Sequence, residues 1–275
     1  MSNFQPLLVL LPVLYLASAL LHGLAFGVEV GPRIERARLW MLRFALLAHV
    51  GMFGLRWNAH DGFPITDAWT TVSAVALCVA ALHAGIARRL GHPGATGIVL
   101  GCVFLLQLAA SMFGHVTTSP PETTPTGFRV LHVSTSVLAA SALVVSGIHG
   151  ALYLTLYRQM REKHFGPLFQ QLPDLSVLAV LTRRAALAGF LFLTVGLNVG
   201  IWWAHARGVK GFAYADPSVL LTIALWIHFG VIAFSRHIRG FTARYASWAA
   251  AAGLVALLLT IAVSLLPSVT FHDLR

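Results

Sequence analysis

The chain has 275 residues, of which 57% are hydrophobic and only 10% are charged, and its formal net charge is +10. Soluble domains carry about 25% charged residues, so this composition cannot cover a water-facing surface and excludes a soluble globular protein. The sequence contains no Walker A, GxSxG or HExxH motif, so an ATPase or a hydrolase of those types has no support.

Eight apolar runs follow one another along the chain, each close to the roughly 20 residues that a helix needs to cross a bilayer. They cover approximately residues 5–26, 38–57, 67–87, 96–115, 128–156, 184–204, 217–235 and 246–267. A spanning segment must satisfy its backbone hydrogen bonds internally, as a helix does. We therefore predict an all-α polytopic membrane protein with about eight transmembrane helices, forming a single transmembrane domain over residues 1–275. The first run has no Lys or Arg before it, so we interpret it as a span and not as a signal peptide.

The segments between the runs are expected to be connectors. HVTTSPPETTPTGFR, at 115–129, is rich in Pro and Thr and is typical of an exposed loop. LPDLSVLAVL, at 172–181, predicts a short interfacial helix before the sixth span. Trp57, Trp202 and Trp203 lie near span ends and are typical of an interfacial aromatic belt.

Lysine and arginine are distributed unequally between the two sides of these spans. The loops after runs one, three, five and seven hold 13 of them, and the opposite side holds 5. Cytoplasmic loops carry the excess of positive charge, so we predict that both termini are periplasmic and that the protein resides in a bacterial inner (cytoplasmic) membrane. Anionic membrane lipid accounts for the net charge, so no nucleic-acid partner is expected.

Thirteen histidines are unusual in so apolar a chain, since an ionisable group inside a span is costly and usually faces a bundle interior or cavity. His132 and His149 lie 17 residues apart in one span, roughly 25 Å along a helix, so they belong to two separate sites. Imidazoles from two helices can ligate a b-type haem. His149 is either a ligand on the cytoplasmic side or a core residue bonded to a carbonyl group. With no CxxCH motif, covalent attachment of haem to this chain is not expected.

The predicted topology sorts the histidines by depth. Those expected on the periplasmic side are His60, His115, His132, His205 and His272, and those expected near the middle are His49 and His228. The remaining six, His22, His83, His92, His149, His164 and His237, are expected on the cytoplasmic side.

Five segments carry motifs in a fixed order. They read LRWNAHDGFPITDAW, RVLHVSTSVLAASAL, LPDLSVLAVLTRRAALAGFLFLTVGLNVGIWWA, KGFAYADPSVLLTIALWIHFGVIAFSRHIRGFTARYAS and SLLPSVTFHDLR. Through these segments nearly the entire chain, most clearly residues 50–275, resembles the CcsA/ResC/HemX-like branch of the cytochrome c assembly family.

The resemblance implies a non-covalent haem b site on the periplasmic side. His132 and His272 match the two periplasmic histidines that ligate haem in the family. His237 matches a transmembrane histidine that helps to bind haem from the cytoplasmic side. The loop that would cover the haem is the family's tryptophan-rich loop, which here includes Phe212, Tyr214 and Asp216. A CcsB-like subunit and apocytochrome c are the implied partners, and no catalytic acid or base is implied.

Two departures from the family pattern favour its HemX-like members. The loop reads VKGFAYADPSV, so the family's three tryptophans are absent and the flat surface for a porphyrin is reduced. In the FP segment, Asp67 and Thr70 stand where the family has Asn and Glu.

Three hypotheses follow. The first is a haem-handling protein of cytochrome c biogenesis that translocates haem and presents it at the outer face through histidine ligation. The second is a b-type cytochrome subunit for quinol electron transfer, which needs two histidine ligands at each of two depths. The third is a HemX-like regulatory or scaffold subunit without haem. The missing tryptophans favour the third hypothesis, whereas His132, His237 and His272 argue against it because unused imidazoles in a bilayer are costly.

Overall fold

In a computed structural model, the chain is described over residues 5–26, 31–59, 62–114, 127–206 and 214–264. The described part is helical and contains no strand. Its α-helices are α1 Gln5–Gly23, α2 Pro32–Ala59, α3 Ala68–Leu90, α4 Pro93–Phe113, α5 Gly127–Arg161, α6 Pro167–Gln170, α7 Leu175–Ala206, α8 Pro217–Ala233 and α9 Ala243–Ser264. Two short 3₁₀ turns, Leu24–Phe26 and Ser235–His237, follow α1 and α8.

The chain is a multi-pass membrane protein. Within the described residues, six helices (α2, α3, α4, α5, α7 and α9) are long and apolar enough to cross a membrane, and shorter apolar helices lie at Val9–Gly23 and Pro217–Ala233. Large apolar side chains such as Leu47 and Val9 are about 70% exposed, as expected of a surface in contact with lipid rather than water. The all-α polytopic fold is thus confirmed, while the count of eight spans and the orientation of the termini stay predictions.

The prediction of a separate interfacial helix at 172–181 is wrong. Helix α7 begins at Leu175 and continues without a break to Ala206, so this segment forms its first turns. Arg183 and Arg184 interrupt the apolar run but not the helix, because arginine has a high helix propensity. The loop before the sixth span is correspondingly shorter than expected.

The helices form two compact units. Unit 1 comprises residues 1–125 and 159–173, and unit 2 comprises residues 126–158 and 174–275. Helices α1 to α4 and α6 therefore belong to unit 1, and most of α5 belongs to unit 2 with α7, α8 and α9.

A chain of buried polar side chains links the four long helices of unit 1. The Tyr15 hydroxyl lies 2.9 Å from His49 Nδ1, His49 Nε2 lies 2.9 Å from Ser73 Oγ, and Ser73 Oγ donates to Gln107 Oε1 at 2.9 Å. Tyr15, His49 and Gln107 have no exposed surface. Gln107 Nε2 extends the chain by donating to Ser111 Oγ at 3.2 Å. Each side chain of this network is hydrogen-bonded, as is usual for buried polar groups.

In unit 2, α5 contacts α9 through two glycines. A methyl group on Gly147 would lie 2.4 Å from Leu254 Cβ, and one on Gly150 would lie 2.7 Å from the Ser247 carbonyl oxygen. Small residues permit such close backbone approach between membrane helices. The sequence therefore fixes where α5 and α9 can touch.

Helices α5 and α7 run antiparallel, and their contacts have a regular register. Ser146 Oγ donates to the Thr182 carbonyl at 2.9 Å. A methyl group on Gly189 would lie 2.3 Å from Leu143 Cδ2, so the two helices are close at this point. Further along, His132 contacts Gly200, and the rings of Phe128 and Trp202 are 4.3 Å apart between centroids. The first residue of α5, Gly127, and the last residue of α7, Ala206, therefore lie at the same end of this helix pair.

Candidate functional site

His132 is held against a glycine surface of α7. Its Nδ1 lies 2.7 Å from the carbonyl oxygen of Gly196. A methyl group on Gly200, one turn further along α7, would lie 2.6 Å from His132 Cε1 and 2.7 Å from Nδ1. The imidazole can take this position only because residue 200 has no side chain.

The bond to Gly196 sets the tautomer of His132. A carbonyl oxygen only accepts, so Nδ1 must carry the proton and donate it. In the neutral ring Nε2 then has a free lone pair, which is the arrangement of a histidine that ligates a metal through Nε2 while its other nitrogen is oriented by a carbonyl. The residue as a whole is half-buried. A histidine held in this way could ligate a metal ion through Nε2.

Aromatic residues lie at the same end of the α5–α7 pair. Trp202 packs against Phe128, and its side chain remains 54% exposed. Trp203 is half-buried, and its indole Nε1 is shielded from solvent without a hydrogen-bond partner among the described residues. The interfacial aromatic belt predicted from the sequence accounts for Trp202, but it does not explain the buried N–H of Trp203.

The other residues predicted to bind haem fall in different places. His272 and Phe212 lie outside the described residues. The hydroxyl of Tyr214, an exposed residue, lies 3.2 Å from His205 Nε2, while His205 Nδ1 donates to the Ile201 carbonyl at 2.9 Å. Asp216 caps the N-terminus of α8, where its Oδ1 accepts from the Ser218 N–H at 2.8 Å and from the Ser218 hydroxyl at 2.5 Å. The described geometry thus gives Asp216 a helix-capping role.

His237 lies beyond the end of α8, in the 3₁₀ turn Ser235–His237. It is exposed, and its Nε2 accepts a hydrogen bond from Arg236 Nε at 3.0 Å. A ligand that used this nitrogen would have to displace Arg236. The histidine of α8 itself is His228, whose Nε2 donates to the Ala249 carbonyl of α9 at 2.8 Å.

His149 is a carbonyl-bonded core residue, one of the two alternatives left open by the sequence. Its Nδ1 donates to the carbonyl of Val145, four residues earlier in α5, at 2.7 Å. The side chain is 2% exposed. Among the described residues, no three His, Cys, Asp or Glu side chains are grouped closely enough to hold a metal ion.

The substitutions in the FP segment preserve a local structure. Asp67 Oδ1 accepts from the Thr70 N–H at 2.8 Å, and Thr70 Oγ1 accepts from the Asp67 N–H at 3.1 Å, which forms a reciprocal capping box at the start of α3. An Asn and a Glu at these two positions could form the same box. The buried Arg56 donates to the Pro64 carbonyl at 3.2 Å and lies 3.5 Å from Asp67 Oδ2. The departure at Asp67 and Thr70 is therefore compatible with an unchanged turn and does not by itself indicate a changed activity.

Comparison with known proteins identifies related sequences. Residues 43–270 match the family described as cytochrome C assembly protein. The cytochrome c biogenesis protein CcsA of Gloeobacter violaceus is 23% identical, with 94% of this chain and 90% of that protein covered. The CcsA protein of Synechococcus sp. (strain CC9902) is 24% identical over 73% of this chain and 74% of its own length. The protein HemX of Bacillus subtilis is 24% identical over 55% of this chain and 58% of its own length.

Proposed function

We propose, from the premise that the chain belongs to the cytochrome c assembly family, that it serves cytochrome c maturation by binding haem at His132. Relatives named for cytochrome c biogenesis match most of its length, which supports the general role. The handling of haem by this chain is the finer part of the proposal. Haem is the cargo in this scheme, and the chain contributes iron ligation and positioning.

The proposal rests on the position of the His132 ring, which packs against Gly196 and Gly200 of α7. The Gly196 carbonyl holds the Nδ1–H at 2.7 Å, so Nε2 is the nitrogen available for iron. A neutral imidazole fixed in one orientation loses little conformational entropy when it binds its ligand. Bound haem would supply the iron for ligation and the vinyl groups that react with cysteine thiols of apocytochrome c.

The orientation follows from the distribution of charge. Under the positive-inside rule, the Gly127 and Ala206 end of the α5–α7 pair faces the periplasm of a bacterial inner membrane. A haem held there by His132 would be presented on the side where apocytochrome c is found. His272, matched by family resemblance, remains the proposed second ligand, and a CcsB-like subunit the proposed partner. His237 remains the proposed inner ligand, provided that the Arg236 contact opens.

A second candidate is a HemX-like subunit that binds no haem. The similarity to HemX and the loop without tryptophans favour it. The two candidates differ in one property, which is whether His132 ligates haem iron.

The experiment is a haem titration of the detergent-purified chain and of His132→Gly, with and without added imidazole. We expect the variant to lose the Soret shift of the wild type and to regain it with imidazole, because free imidazole can replace the missing ligand. His228→Ala is the matched control, since this histidine of the same unit is also half-buried and bonded to a carbonyl. Equal haem spectra for wild type and His132→Gly would overturn the assignment of His132.

A further inference from the structure

The turn between α8 and α9 carries cations without acidic partners. No Asp or Glu occurs from residue 217 to residue 272, whereas Arg236, Arg239 and Arg244 lie within this turn or next to it. All three arginines are exposed, and no ion pair joins any of them to another described residue. The turn therefore has an excess of positive charge that an anionic group of a bound molecule can neutralise.

Arg236 makes a direct contact with the neighbouring histidine. Its Nε–H donates to His237 Nε2 at 3.0 Å. A ring nitrogen that accepts a hydrogen bond carries no proton, so in the neutral imidazole of His237 the proton is on Nδ1. This is the tautomer in which Nε2 can ligate a metal, but Arg236 occupies the lone pair. His237 thus has the form that ligation needs, and a single side-chain contact blocks it.

The contact can be opened by moving one side chain. The turn is fixed by backbone hydrogen bonds from the His237 N–H to the Phe234 carbonyl at 2.9 Å and from the Ile238 N–H to the Ser235 carbonyl at 3.1 Å, so the backbone need not change. Arg236 is exposed and has a long, flexible side chain. A carboxylate is a better partner for a guanidinium than a neutral imidazole nitrogen is, because the pair is charge-assisted and can be bidentate. An acidic molecule therefore draws Arg236 away from Nε2.

We propose that Arg236 selects the molecule that His237 ligates, by exchanging its bond to Nε2 for a bond to a carboxylate of that molecule. This inference rests on the proposed function, in which His237 is the inner ligand, and it narrows the substrate to porphyrins with free acidic groups. Arg236 is adjacent to His237 in the chain, so its side chain can reach the edge of a porphyrin whose iron is bound at Nε2. A porphyrin without free acids must break the same contact without compensation. Arg236 is thus a positioning residue that favours acidic porphyrins and covers Nε2 in their absence.

The test follows His237 itself through its reaction with diethyl pyrocarbonate, which modifies an unprotonated imidazole nitrogen and is quantified for each histidine by peptide mass spectrometry. Haem b and haem b dimethyl ester, in which both propionates are esterified, are titrated into the full-length wild type, Arg236→Ala and Arg239→Ala in detergent. The porphyrin concentration that half-protects His237 from modification measures ligation at this residue, separately from ligation at His132.

The expected results have a specific pattern. The wild type should be half-protected by about fivefold less of the free acid than of the ester, which is the upper range for an exposed charged pair. In Arg236→Ala the affinity for the acid should fall and the affinity for the ester should rise, because Nε2 is no longer covered. Without haem, His237 should react faster in this variant than in the wild type. Arg239→Ala removes an exposed arginine of the same turn that has no bond to His237, and it should keep both the preference and the wild-type reaction rate.

The outcomes separate this inference from the proposed function. Equal protection by acid and ester in the wild type, or a preference that persists in Arg236→Ala, overturns the role of Arg236 and leaves haem binding at His132 standing. The same holds if neither porphyrin protects His237 in a wild type that binds haem through His132. A weaker affinity for the acid in Arg236→Ala without a gain for the ester overturns the exchange of bonds. Acid-selective protection of His237 in a protein whose haem binding does not depend on His132 supports the role of Arg236 and overturns the assignment of His132, and absence of all haem binding overturns both.

Discussion

Replacing Gly200 by alanine tests whether the position of the His132 ring matters, while the imidazole itself is kept. The new methyl would lie 2.6 Å from Cε1 and 2.7 Å from Nδ1 of His132, whereas ordinary contacts between carbon atoms are about 3.5–4.0 Å. The ring must therefore move by about 1 Å. Because Nδ1 now lies 2.7 Å from the Gly196 carbonyl, such a shift strains or breaks that hydrogen bond.

The effects on folding and on haem binding are measured separately. The lost hydrogen bond costs about 1 kcal/mol and overpacking by the new methyl costs about 1–3 kcal/mol, while alanine for glycine inside a helix contributes about 1 kcal/mol of favourable propensity. The variant should therefore be less stable than wild type by about 1–3 kcal/mol. Loss of a group that orients a metal ligand typically reduces affinity about 10–100-fold, and we expect this reduction in haem affinity.

The assay is a haem titration combined with thermal unfolding of the apoprotein. Gly101→Ala serves as control, since nothing lies within 4 Å of a methyl group at that helical position. It should keep wild-type haem affinity. A Gly200→Ala variant that folds and binds haem with wild-type affinity would refute the claim that Gly200 is needed to position the His132 ring.

Three predictions concern the framework. Asp67→Ala removes the cap of α3 and the carboxylate near Arg56, so we expect a loss of about 1–2 kcal/mol in unfolding free energy, whereas Asp67→Asn should lose much less. His49→Leu leaves the Tyr15 hydroxyl without its acceptor and removes one of the two partners of the Ser73 hydroxyl, and should cost about 2–4 kcal/mol, measured by denaturant unfolding in micelles. A smaller loss than in Asp67→Ala would contradict the buried network. Gly150→Val overpacks the α5–α9 contact and should cost about 1–3 kcal/mol; unchanged stability would show that the helices separate more easily than their spacing indicates.

The sequence was sufficient to predict the apolar helices among the described residues, but not the short helix α6. Long apolar runs leave a membrane chain few alternatives, and each of the eight runs overlaps one helix of the structure. Their ends were less predictable, because Arg183 and Arg184 end an apolar run but not a helix. The start of α7 at Leu175 could be located only once the chain was folded.

The candidate site was predictable in part. A histidine inside a span marked His132 as a candidate, since such residues are costly unless used. Its partners on α7 depend on how two helices 64 residues apart along the chain come together, and periodicity alone does not give that register. The glycines at 196 and 200 could have been noticed as a small-residue pair four residues apart, which permits close helix contact. The buried N–H of Trp203, which has no hydrogen-bond partner among the described residues, could not be anticipated from the sequence.

The most direct measurement of the central claim is the haem content of the protein purified from cells with ample haem. It combines a reduced-minus-oxidised absorption spectrum with a pyridine haemochrome assay, for wild type and for His132→Ala. The account predicts a Soret band from non-covalent haem b in the wild type and its loss in the variant. A colourless wild type, or haem retained in full by His132→Ala, would contradict it.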